Sequence, residues 1–125
     1  TRISENHYHM TTTTAQAPAV LSHLEYYLQV VWPELNVNVV STTEQWAGAA
    51  IAGPKSRELL SKLFPNKDIS NEGLPFMGYM EADLFGIPAR IFRISFSGEL
   101  AYEINVASDF GTFMWEKTIE QGQQF

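Results

Sequence analysis

Arg93-Ile-Ser-Phe-Ser-Gly-Glu-Leu-Ala-Tyr-Glu103 reads as the turn and second arm of a β-hairpin. The residues leading into and through it alternate or run apolar (Ile87, Ile91, Phe92, Ile94, Phe96). Ser97-Gly98-Glu99 supplies the turn, with Gly98 free to take a positive φ. Beyond the turn, Leu100, Tyr102, Ile104 and Val106 point one way, while Ala101, Glu103 and Asn105 point the other. Glu103 therefore lies mid-strand on the polar face, beside a glycine turn where a ligand can approach the backbone. Taken alone, the pattern also fits an amphipathic hairpin whose outer face is simply solvated.

Outward from the hairpin, Phe85-Gly86 reads as a second turn, joining a strand over Phe76–Leu84 to one over Ile87–Phe96. Pro65–Pro75 is loop by every local signal. Before it, Gly53-Pro54 opens a helix over Lys55–Phe64, with Leu59, Leu60, Leu63 and Phe64 inward and Glu58 and Lys62 as an outward i,i+4 pair. Val37–Thr42 and Gln45–Ala52 read as two strands. Ala15–Trp32 has the strongest helical period, with Ala17, Val20, Leu21, Leu24, Tyr27, Leu28 and Val31 on one stripe. Pro18 suits only its first turn, Pro33 stops it, and His23 falls on its polar side. Arg2–Met10 is a strand with a turn at Glu5-Asn6, and Thr14 is a candidate helix cap after the run Thr11–Thr14. Ser108 or Asp109 can cap a last helix containing Phe110, Phe113 and Met114. The expected fold is α+β, a mostly antiparallel sheet with helices packed on one face, in a single domain over residues 1–125.

Composition agrees. The 125 residues are 45% apolar and 18% charged, a globular balance. A net charge of −6 argues against a general nucleic-acid surface. No apolar run approaches the ~20 residues of a membrane span. With no cysteine there is no disulfide or thiolate metal site, which fits a cytoplasmic location. We read the chain as part of a longer polypeptide.

Arg93–Glu103 resembles the R-x-S-[YF]-[ST]-G-E-x-x-[YFW]-E signature of the aminomethyltransferase (glycine cleavage T-protein) family. Tyr8-His-Met-Thr-Thr-Thr-Thr14, Trp32-Pro-Glu-Leu35, Thr43-Glu-Gln-Trp46 and Gly53-Pro-Lys-Ser-Arg57 extend the resemblance, toward the family's sarcosine oxidase α-subunit branch. The resemblance implies a folate-binding domain in which tetrahydrofolate accepts a one-carbon unit, giving 5,10-methylenetetrahydrofolate. It makes Glu103 the residue that holds the pterin, with Thr11 and Thr12 lining the pocket and Phe96 and Tyr102 as aromatics able to cover a flat heterocycle. Regular alternation, however, sends Tyr102 to the face opposite Glu103. The family usually has tyrosine at the position of Phe96, so a hydroxyl is absent here. Core packing is the competing reading for Phe96, an ion pair within the sheet for Arg93, and a solvated turn position for Glu99. The family's catalytic aspartate lies upstream of the Thr1 position, so no catalytic residue is expected here. FAD, FMN and NAD, the rest of the α subunit and the other subunits would be partners outside these residues.

Two other readings share the fold. One is a folate-binding iron–sulfur assembly or tRNA-modification factor, which is expected to carry a Lys-Gly-Cys motif that this chain lacks. The other is a module that has lost its ligand and only holds subunits together.

Overall fold

Glu5-Asn6 turns the chain between two short antiparallel strands, β1 (Arg2–Ser4) and β2 (His7–Tyr8). In this computed structural model, which describes residues 1–125, a 3-10 turn over Thr14–Gln16 leads into helix α1 (Ala17–Tyr26), with Pro18 in its first turn. Tyr27–Val31 continue it as a π-helical stretch up to Trp32. The expected stripe is right: Ala17, Val20, Leu21, Leu24, Tyr27 and Leu28 are half-buried, while Val31 is exposed. The expected cap is not, since Thr13 rather than Thr14 precedes the first turn and makes no side-chain cap bond. Val37–Thr42 is not a strand. Val37, Val39 and Val40 are exposed, and β-branched propensity without a neighbouring ladder does not make a strand. These residues, Thr1–Thr42, form one compact unit; Thr43–Phe125 form a second.

The second unit is built on one sheet. After a 3-10 turn over Thr43–Gln45, β3 (Trp46–Ala52) runs into helix α2 (Ser56–Leu63). Three strands follow: β4 (Tyr79–Leu84), β5 (Ile87–Phe92) and β6 (Ala101–Ala107). A 3-10 turn over Ser108–Phe110 then opens α3 (Gly111–Gly122), without a cap from Ser108 or Asp109. The order is β3-β6-β5-β4, antiparallel throughout, so the α+β expectation is met. Both expected turns are present: Phe85 and Gly86 have φ of 53° and 93°, and Gly98 has φ 93°.

The strand expected to reach Phe96 stops at Phe92. Pairing with β6 goes no further than Phe92, while the Arg93 N–H donates to the Gly78 carbonyl and its own carbonyl accepts from the Met77 N–H. Pro88 sits just outside the β5–β6 ladder, which spans Ala89–Phe92, so its missing N–H breaks no bond there.

Pleating sorts the sheet into two faces. Ile51, Tyr102, Ile104, Val106, Ala89, Ile91 and Leu84 lie in the core with Leu60, Leu63, Phe64 and Met114 from the helices and Ile69 and Leu74 from the loop before β4. Gly111 lets α3 approach β3 closely, since a Cβ there would stand 2.8 Å from the Ala47 Cβ.

Candidate functional site

The same alternation that buries Tyr102, Ile104 and Val106 puts Glu103 and Asn105 on the outer face of the central strand. The register sets Ala50 and Phe92 on either side of Glu103, and Gly48 and Arg90 on either side of Asn105. Glu103 is half-buried, and its Oε1 accepts a hydrogen bond from Asn105 Nδ2 at 2.8 Å. A Cβ on Gly48 would lie 2.9 Å from Asn105 Oδ1 and 3.8 Å from Glu103 Oε1. Glycine and alanine on β3 thus leave a low floor beside a fixed carboxylate, and Phe92 borders it on the other side.

Aromatic and charged groups surround this floor. The Arg90 guanidinium lies 4.0 Å from the Trp46 ring centroid, reaching across the central strand. Tyr79 packs on Phe92 with ring centroids 5.1 Å apart, and its hydroxyl donates to Glu81 Oε1 at 2.8 Å. Burial, and then the Glu81 carboxylate, push the Tyr79 phenol up to about 12.

Within the second unit, neither Tyr102 nor Phe96 shares this face. Tyr102 is in the core, 1% exposed, on the face opposite Glu103, and its buried hydroxyl has no partner. Phe96 is fully exposed in the Arg93–Leu100 loop, which rules out core packing and leaves its ring off the Glu103 floor. Thr11 and Thr12 are exposed residues of the first unit, Thr12 Oγ1 donating to the Thr13 carbonyl at 3.2 Å. Arg93 makes no ion pair; its Nη1 donates to the Leu74 carbonyl at 2.9 Å and ties the hairpin to the preceding loop. Glu99 is a solvated turn residue, its carboxyl held below the usual range by the Ser97 hydroxyl.

Asn105, Gly48, Arg90 and Trp46 escaped the sequence reading. Asn105 had a usable signal, since it stands two residues from Glu103 on the same strand face. The others depend on strand order, which local pattern does not carry.

Comparison with known proteins adds the family. The model for the GCVT N-terminal domain matches residues 1–125, the whole chain. The chain belongs to the GCVT family. Within it, the chain is 48% identical over 124 residues to the sarcosine oxidase subunit alpha of Rhizobium meliloti (strain 1021), covering 98% of this chain and 12% of that protein. Against the sarcosine oxidase subunit alpha of Corynebacterium sp. (strain P-1) it is 48% identical over 125 residues, covering 99% of this chain and 13% of that protein. The aminomethyltransferase of Bacillus subtilis (strain 168) is 34% identical over 90 residues, 72% of this chain and 24% of its own length. The chain thus spans about an eighth of the sarcosine oxidase relatives it matches. No helix in it is long and apolar enough to cross a membrane.

Proposed function

We propose that this GCVT-family chain is part of a sarcosine oxidase alpha subunit and that the outer face around Glu103 binds tetrahydrofolate. The observation that carries the reading is the carboxylate of Glu103, at the family's pterin position, half-buried beside a Gly48–Ala50 floor and anchored by Asn105. The donor set suits the ligand. A pterin offers two adjacent N–H donors, and a carboxylate is an acceptor-only fork able to take both. Asn105 engages one lone pair of Oε1 and orients the fork. Small residues on β3 leave room for a flat ring, and Phe92 borders that space.

Tetrahydrofolate, when bound, supplies the nitrogen nucleophiles that accept a one-carbon unit, here the unit released by oxidative demethylation of sarcosine. The residues of this chain bind and orient it. The oxidoreductase chemistry, with FAD, FMN and NAD, belongs to the rest of the polypeptide and its partner subunits.

The test is calorimetric titration of the intact subunit with tetrahydrofolate, comparing wild type with Glu103→Gln. Gln removes one charge-assisted bond and turns an N–H toward a ligand N–H. A bond to a charged group is worth ~1.5–3 kcal/mol, so affinity should fall on the order of 10- to 100-fold. Equal affinities would remove Glu103 from the site.

A further inference from the structure

The two edges of the four-stranded sheet are unlike. In β4, Leu84 and Ile87 close a two-residue turn as a bonded pair, so Glu81 and Asp83 sit at positions whose backbone groups face outward. Charged side chains there guard the edge. In β3 the sequence is Trp46-Ala-Gly-Ala-Ala-Ile-Ala52, with no charge, no proline and no bulge in its register. The Gly53 amide donates to the Leu100 carbonyl at 2.9 Å. By antiparallel alternation Ala47, Ala49 and Ile51 therefore also face β6, and the N–H and C=O groups of Gly48, Ala50 and Ala52 face out of the sheet.

The helix above this edge is equally unguarded. Gly111 seats α3 against Ala47. One turn further along the same flank comes Trp115, and then Ile119. They are 59% and 50% exposed. The helix whose first residue packs on this edge strand thus carries an exposed apolar flank.

We propose that an extended segment of the longer polypeptide pairs antiparallel or parallel along β3 as a fifth strand, its alternate apolar side chains packed on Trp115 and Ile119. An added strand satisfies the outward N–H and C=O groups and covers both side chains at once, which a helix or a loop would not. The chain spans only 12–13% of its sarcosine oxidase relatives, so ample polypeptide exists to supply the strand. The inference rests on the proposed function only in taking the chain as part of such a polypeptide; it does not need folate to bind.

The experiment is residue-resolved hydrogen exchange on the intact natural protein, with its mass measured in parallel. The expected result is continuous protection from Ala47 to Ala52, with Gly48 and Ala50 within about tenfold of Ala49 and Ile51. A free edge gives alternation instead, with Gly48, Ala50 and Ala52 exchanging rapidly, and overturns the proposal. Protection that disappears on dilution means a second copy is the occupant, and also overturns it. Trp115→Glu should raise exchange at Gly48 and Ala50 while Ala49 and Ile51 stay protected; unchanged exchange there would remove α3 from the docking surface. An intact mass of only these 125 residues would sink the longer-polypeptide reading. Loss of folate binding with continuous protection would sink only the folate reading.

Discussion

Asn105 Nδ2 donates to Glu103 Oε1 at 2.8 Å, two residues apart on one face of the central strand. The pair is flanked by Gly48, where a Cβ would come 2.9 Å from Asn105 Oδ1. A neutral amide thus sets the direction of the carboxylate, and a glycine makes room for the amide.

That relation defines a double-mutant cycle. Asn105→Ala should weaken tetrahydrofolate binding by about 2- to 10-fold, the worth of one hydrogen bond of ~0.5–1.5 kcal/mol. Gly48→Ala should weaken it too, because the new methyl displaces the Asn105 amide. In the Asn105→Ala background the same Gly48→Ala change should have little effect, since nothing remains to displace. Titrations of the four proteins read the coupling; strictly additive losses would mean that Gly48 acts some other way.

Core and stripe should differ in stability. Leu60 is fully buried between α2 and the sheet, so Leu60→Ala should cost about 2–5 kcal/mol. Leu24, on the α1 stripe, is only half-buried, and Leu24→Ala should cost less than Leu60→Ala. Urea titrations of both variants give the comparison, and equal losses would show that the α1 stripe is as well packed as the core.

Gly98 has φ 93°, with open space where a Cβ would stand. Gly98→Ala should therefore destabilise through backbone strain alone, by roughly 1–2 kcal/mol. A melting curve unchanged from wild type would mean that the loop moves to a relaxed conformation.

Tyr79 supplies a pH dependence. Its phenol is raised from 10.0 to about 12, by burial first and the Glu81 carboxylate next. The folded state then holds this proton more tightly than the unfolded state. The resulting stabilisation is complete below pH 10 and is lost as the pH rises through about 12. Ultraviolet titration of phenolate in wild type against Tyr79→Phe should isolate a late-ionising tyrosine. Glu81→Gln should bring its midpoint down, and an unmoved midpoint would leave burial as the whole cause.

Local pattern settled much of this protein. Alternation over Leu100–Val106 placed Glu103 on the outer face, where it lies, because side-chain direction in a strand has period two. Phe85-Gly86 and Gly98 were legible as turns because positive φ is a local steric matter. The inward residues of α2 and the α1 stripe followed from helical period.

What only tertiary structure decided depends on neighbours distant in sequence. Val37–Thr42 has strand composition but no ladder beside it. The strand before Gly98 ends at Phe92, where pairing with β6 stops, and Arg93 is held by Leu74, Met77 and Gly78, which precede β4. Phe96, apolar and in phase with the strand, stands in solvent once that phase is broken. The stacking of Arg90 on Trp46 exists because β3 pairs with β6 and β6 with β5. Periodicity assigns a side chain to a face, but the strands that flank it are chosen by non-local pairing, and the neighbours that complete a site come with that choice.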